Sequence, residues 1–212
     1  GKKEAPPLSQ VLNNYAAQLD QAKMPAGKKK VLQTALNLFA NYGFHATTTA
    51  KIAKQAGISE GTIYKYFKSK DDLLGKLLEP ILFEIKDNFF ATIDDSQSLE
   101  ELVTFIVADR LEFIEVNFAF IRLIIQEVLT NRLEPQYYGA FFNGDNGMFD
   151  RVRELQSHYP EINQQLTPSQ LLRAFVGPIL TYVVQGKIFQ IPGTPTDRQV
   201  IVKQIIASLT FK

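Results

Sequence analysis

A chain of 212 residues, 45% hydrophobic and 21% charged, is apolar enough to bury a core and is not an intrinsically disordered composition. It has no cysteine, which excludes disulfides, thiolate metal sites and cysteine nucleophiles, and no apolar run near the ~18–20 residues of a membrane span. The net charge of +1 hides an asymmetry: the first 76 residues carry twelve lysines against five carboxylates, net +7, and the remainder carries eleven cations against seventeen carboxylates, net −6. That is the pattern of a nucleic-acid-binding module joined to something else, although a Lys-rich tail gives the same balance.

The N-terminal Gly1-Lys2-Lys3-Glu4-Ala5-Pro6-Pro7 is basic but lacks an apolar core behind it, so it does not read as a signal peptide. With the absence of cysteine, this makes a cytoplasmic location the expectation. From there nearly every segment shows apolar residues at spacings of three and four, the helical period, with no sustained alternation. Ser9–Ala22 carries the stripe Val11, Leu12, Tyr15 and Leu19 and predicts a short helix. Such a helix docks on its own protein or a partner subunit, or is a mobile arm to which Lys2 and Lys3 add affinity. Lys28–Tyr42 follows, with Leu32, Ala35, Leu36 and Phe39 on one face and Gly43 at the left-handed position that ends helices. Next come Thr48–Ala56, a turn at Gly57-Ile58-Ser59, Glu60–Phe67, and a long helix over Ser69–Thr92. Ser98–Asn117, Phe118–Asn131, a segment Pro135–Tyr159 interrupted at residues 143–147, Thr167–Phe189 and a last helix to about Leu209 complete an all-α chain.

Residues 48–67 carry the most specific pattern. Ile52, Ala53 and Ala56 form the inner face of the first short helix, and the alanines let a second helix approach closely. Gly57 supplies the positive φ that stops the first helix in one residue, and Ser59 caps the second. Ile63 and Phe67 bury the second helix's back, leaving Glu60, Gly61, Thr62, Lys65 and Tyr66 outward. This is a helix-turn-helix, whose second helix enters the DNA major groove.

Ala35–Leu74 resembles the DNA-binding domain of the TetR (tetracycline repressor) family of bacterial regulators. The resemblance rests on Leu38-Phe39, Tyr42-Gly43-Phe44, Thr48-Thr49, Ile52-Ala53, Ala56-Gly57-Ile58-Ser59, Gly61-Thr62-Ile63-Tyr64, Tyr66-Phe67, Lys68-Ser69-Lys70 and Leu73. It implies DNA contacts from Thr48, Thr49, Lys51, Glu60, Gly61, Thr62, Tyr64, Lys65, Tyr66, Lys68 and Lys70. In that scheme Lys68 and Lys70 grip phosphates, Ser69 caps the long helix, Lys65 reads a base, and Tyr64 either touches a phosphate or packs half-buried. Gly61 permits close backbone approach. The implied organisation is an extension over residues 1–27, a helix-turn-helix domain over 28–76, and a larger ligand-binding and dimerisation domain over 77–212, connected by the long helix.

The larger part holds thirteen of the sixteen phenylalanines, most of which must be core. Family members enclose a ligand cavity among the equivalent helices, so Phe83, Phe90, Phe105, Arg110, Phe113, Arg122, Phe142 and Phe149 are candidate ligand contacts. Glu112, Gln126 and Glu127 are further polar groups on apolar helices, and each is equally a surface or ion-pair residue. Leu171, Leu172, Phe175, Ile179, Leu180 and Val183 stripe the penultimate helix, bent at Gly177-Pro178; Ile201, Ile205 and Leu209 stripe the last, which Thr194-Pro195 opens. The family dimerises through such a pair, although one monomer's buried pair looks the same. A di-metal enzyme on a helical bundle needs Glu-x-x-His pairs; His45 lies in a loop and His158 follows Glu154 by four, and no catalytic triad or phosphate loop is present. The expectation is a homodimeric repressor on operator DNA with two half-sites, released by a small-molecule effector, without cofactor or membrane. A helical ligand-binding protein on the same scaffold, which activates or no longer binds DNA, is the alternative.

Overall fold

The computed structural model describes residues 7–130 and 134–212, with side chains from residue 13 onward. Lys2, Lys3, the side chains of Val11 and Leu12, and the expected helix end at Asn131 lie outside the described residues. Eleven α-helices are described: α1 (Pro7–Gln21), α2 (Ala26–Tyr42), α3 (Thr49–Ala56), α4 (Glu60–Tyr66), α5 (Lys70–Ala91), α6 (Leu99–Val116), α7 (Phe118–Leu129), α8 (Pro135–Asn143), α9 (Met148–His158), α10 (Pro168–Lys187) and α11 (Asp197–Thr210). No strand occurs among the described residues, and no helix among them is long and apolar enough to cross a membrane.

The chain divides into two compact units. The first runs to Glu84 and also takes in Glu115–Tyr138; the second comprises Ile85–Ile114 and Gly139–Lys212. Helix α7 groups with the N-terminal helices. The reason is packing: α2 is the hub of the first unit and touches α1, α3, α4 and α7. Val31, Leu36, Leu38 and Phe39 of α2 are buried with Ile52, Ile63 and Phe67, and α7 contributes Phe120 and Leu123. Helix α1 docks on α2 and α7 through buried Tyr15 and Leu19, and burial pushes the Tyr15 hydroxyl pKa upward.

Caps delimit the helices where the sequence places them. Thr48 accepts the Lys51 N–H and opens α3; Ser59 accepts the Thr62 N–H and opens α4; Ser69 accepts the Asp72 N–H ahead of α5. Gly57 adopts the left-handed conformation, φ 70° and ψ 33°, that ends α3. Gly43 also has positive φ, but its ψ of 159° is extended, so α2 ends by a sharper departure than a left-handed cap. Helix α5 continues through Pro80 and α10 through Pro178.

The second unit has its own core. Leu102, Val103 and Val107 of α6 meet Val152 of α9, Leu171, Phe175 and Ile179 of α10, and Ile201, Ile205 and Leu209 of α11. The stripes that suggested a subunit contact thus face this unit's interior. Thr167 and Gln170 form a reciprocal capping box at the start of α10. Helix α11 begins at Asp197 rather than at Thr194-Pro195, because the Asp197 carboxylate accepts both the N–H and the hydroxyl of Thr194, at 2.7 Å each. Those bonds hold Pro195 and Thr196 in a turn before the helix.

Candidate nucleic-acid interface and ligand cavity

Helix α4 has one buried side chain, Ile63. Its outward side presents Gly61, Tyr64 and Lys65, all exposed, with Lys68 exposed just beyond it. Thr62 and Tyr66 are half-buried. A polar clamp ties this helix to α3. The Thr49 hydroxyl donates to the Glu60 carboxylate at 2.6 Å and lies 3.1 Å from the Tyr64 hydroxyl. Thr49 is itself buried, so its two bonds fix the roll of α4 on α3. Tyr64 keeps half its surface exposed, 52%, with only the hydroxyl end anchored.

Lys51 sits beside this surface with its Nζ 4.1 Å from the centroid of the Tyr42 ring, which is 61% exposed. Tyr42 was absent from the expected contact set; an aromatic in the exposed last turn of a helix beside the motif was the available signal. Lys65 Nζ lies 5.7 Å from the Tyr66 ring. Lys70 differs from the exposed lysines. Its Nζ donates to the carbonyls of Phe44 and Thr47 at 2.8 and 3.0 Å, and stands 4.1 Å over the Phe44 ring. Those bonds tie the first turn of α5 to the loop between α2 and α3.

Asp72 is the other organising group of this unit. It accepts from the Tyr137 hydroxyl at 2.6 Å, the Lys68 N–H at 2.9 Å and Lys76 at 3.2 Å. Burial alone would raise its pKa, but these donors outweigh it, led by Tyr137, and hold the carboxyl below its usual value. Burial, and then Asp72, push Tyr137 up to about 12.

The second unit holds a half-open cavity of about 220 Å³. Phe89 and Phe90 of α5, Ile93 just beyond it, Ile106 of α6, Phe141 of α8 and Phe175 of α10 form much of its wall. Two lining residues are charged, Lys86 and Arg110. Of the expected ligand contacts, Phe90 and Arg110 line this cavity. Phe113 stands behind Arg110, 4.6 Å from its guanidinium, and Phe105 packs against the unit's core. Phe142 and Phe149 pack on each other at 5.6 Å, with Phe141 against Phe142. Phe83 and the exposed Arg122 belong to the first unit, as do buried Glu127 and exposed Gln126; Glu112 is exposed.

Lys86 is a site residue that the sequence reading missed. Only 3% of it is exposed, and its Nζ donates to the Asn146 carbonyl at 2.6 Å, with Asp87 3.5 Å away. A lysine three and four residues before Phe89 and Phe90, on their face of the helix, was the signal. Among the described residues no cluster of histidine and carboxylates could hold a metal ion.

Residues 31–77 match the family model of bacterial regulatory proteins, tetR family. Over 79 residues, 37% of this chain, the sequence is 30% identical to the fatty acid metabolism regulator protein of Bacillus subtilis, covering 41% of that protein. It is 31% identical over 121 residues, 56% of this chain, to the HTH-type transcriptional repressor KstR2 of Mycolicibacterium smegmatis, covering 58% of it. The chain thus spans about half the length of these curated relatives. In fold it resembles the fatty acid degradation regulator FadR of Bacillus halodurans, with a TM-score of 0.61 at 18% identity over 89% of this chain and 97% of that one. It also resembles FadR of Bacillus subtilis in complex with stearoyl-CoA, TM-score 0.60 at 18% identity over 85% and 98%.

Proposed function

We propose that this chain, whose residues 31–77 match the family model of bacterial regulatory proteins, tetR family, is a sequence-specific DNA-binding repressor released by a small apolar or amphipathic effector. The observation that carries the reading is the outward side of α4, where exposed Tyr64 and Lys65 stand on a helix whose roll Thr49 fixes. A recognition helix must hold its orientation before DNA arrives, because base-edge contacts tolerate little misalignment. Lys51 and Lys68 flank it as phosphate partners, and Lys65 can donate to guanine O6 and N7.

The effector binds in the cavity of the second unit. Helix α5 supports coupling, since one continuous helix carries Lys70 in its first turn and Lys86, Phe89 and Phe90 in its last two. Coupling of about 1–3 kcal/mol suffices for induction, and operator must weaken effector binding by the same factor. The repressor works as a homodimer on two half-sites, and its subunits meet through the outer faces of α10 and α11, where Val176 and Val200 are exposed. It acts in the cytoplasm, as regulators of this kind do.

An electrophoretic shift with the DNA upstream of its own gene, titrated with salt, tests the assignment. Log K should fall with log salt at a slope of several units. Lys65→Ala should cost roughly 1–3 kcal/mol at one base pair and relax specificity there. A flat salt titration, or no shift at low salt, refutes the DNA-binding reading.

A further inference from the structure

From the chemistry of the cavity wall we infer that this site takes the hydrocarbon tail of a single-chain amphiphile and leaves its polar head in water at the open side. The site reads the tail and is indifferent to the charge of the head. The inference rests on the effector reading for its biological meaning alone, since the binding it asserts needs no DNA.

Fifteen of the seventeen lining residues are apolar, and they converge from α5, α6, α8, α9 and α10. The other two, Lys86 and Arg110, have charged ends already engaged by the protein. The Lys86 ammonium donates to the Asn146 carbonyl at 2.6 Å and has the Asp87 carboxylate 3.5 Å away. The Arg110 guanidinium donates to Asp109 from two of its nitrogens, at 2.6 and 2.9 Å. It also stacks on the rings of Phe89 and Phe113, 4.3 and 4.6 Å from their centroids. Side chains held in this way add their alkyl stems to an apolar wall while their charges are satisfied elsewhere.

A polar head drawn inside would exchange its hydration for contact with hydrocarbon, at a cost the wall does not return. The same wall favours an alkyl tail, by about fourfold in affinity for each methylene taken out of water. Because the cavity is half open, one molecule meets both conditions with its tail inside and its head outside. A carboxylate, hydroxyl or ammonium head then stands in solvent, where salt screens it from the protein's charges.

Displacement of N-phenyl-1-naphthylamine, a neutral dye that brightens in apolar surroundings, tests this on the intact chain without DNA at physiological salt. The competitors are decanoate, 1-decanol and decyltrimethylammonium, similar tails under an anionic, a neutral and a cationic head, each kept below its aggregation limit. All three should displace the dye with affinities within about threefold of one another, the spread that solvent-exposed charges produce. 1-Decanol should bind tighter than 1-octanol by on the order of tenfold. Phe90→Ala alters the wall at a half-buried position and should weaken all three by a common factor of about threefold or more. Leu155→Ala, also half-buried on the wall, makes the same test if Phe90→Ala does not fold. A spread among the heads well beyond about threefold, affinity indifferent to tail length, displacement that the wall variant leaves unchanged, or a dye that does not bind overturns the inference. The comparison of heads on the unaltered protein decides even if neither variant folds. Head-specific binding would sink this inference and leave the effector reading standing, which release of operator DNA by the same probes tests separately.

Discussion

The two units of this chain build their functional surfaces by different means. In the first, a run of twenty residues carries caps, turn and buried face together: Thr48, Gly57, Ser59 and Ile63 each act within a few residues of where they stand. In the second, the cavity wall converges from α5, α6, α8, α9 and α10, with Lys86 meeting Asn146 sixty residues away. The first surface is a local motif scaffolded by a small core. The second is a product of packing, and changing its wall disturbs the unit that holds it.

Core substitutions sharpen that contrast most. Ile205 is fully buried within the second unit's core. Ile205→Ala should lower unfolding free energy by about 2–5 kcal/mol in denaturant titration, with no change in subunit association by sedimentation. Altered association with unchanged stability would show that the α11 stripe meets another subunit instead.

The difference also explains what was legible in the sequence. Helix positions followed from apolar spacing and from caps, so the elements were predicted to within a few residues almost throughout. The start of α11 was misplaced because Thr194-Pro195 looks like a cap, whereas Asp197 takes both Thr194 donors through its side chain. The helix-turn-helix was legible because its chemistry is local. The Thr49 clamp and the Lys70 anchor were not, because hydrogen bonds between residues eleven to twenty-six apart leave no period in the sequence. The cavity was legible only as an aromatic surplus. Which phenylalanines line it depends on how α8 and α9 turn at residues 143–147, where Asn146 takes a positive φ of 57°.

Lysines of the first unit divide by what their ammonium touches. Lys70→Met removes two charge-assisted bonds to part-buried carbonyls and should destabilise the protein by about 1.5–3 kcal/mol. Lys51→Ala, at an exposed position, should leave stability within about 0.5 kcal/mol and reduce the salt slope of DNA binding by about 1. Thermal melts paired with salt titrations of both variants check this. Unchanged melting of Lys70→Met with a reduced slope would return Lys70 to the phosphate-gripping role implied by its family position.

A glycine within α5 gives a test by sign. Alanine at an ordinary helix interior gains about 1 kcal/mol over glycine. At Gly75 an added Cβ would lie 2.5 Å from the Tyr137 ring, so Gly75→Ala should instead cost about 1–3 kcal/mol through overpacking. Denaturant titration reads it, and a stabilised variant would mean that α8 does not press on α5 here.

The smallest expected effect tests the bond that Tyr137 makes beside that contact, and it depends on pH. Asp72 has its pKa lowered on folding, after Tyr137, Lys68 and Lys76 overcome the opposing effect of burial. Its contribution is therefore complete above the ordinary carboxylate value and is lost as pH falls through the lower folded value. Tyr137, raised to about 12 by burial and by Asp72, behaves in the opposite sense. Its contribution is complete below the ordinary phenol value of about 10 and is lost as pH rises towards the folded value. Tyr137→Phe removes the Tyr137 contribution and the share of the Asp72 contribution that the Tyr137 hydroxyl supplies, while Lys68 and Lys76 keep theirs. The difference in melting temperature between the unaltered protein and this variant should thus form a plateau between about pH 5 and 9, worth about 1 kcal/mol at this partly exposed site. It should shrink on both sides of that window. Tyr15, Tyr159, Asp94 and Asp197 also shift on folding, but they are common to both proteins and cancel in the difference. A difference that stays constant from pH 3 to 11 would mean that the ring's packing against α5 stabilises the first unit and the hydroxyl–carboxylate bond does not.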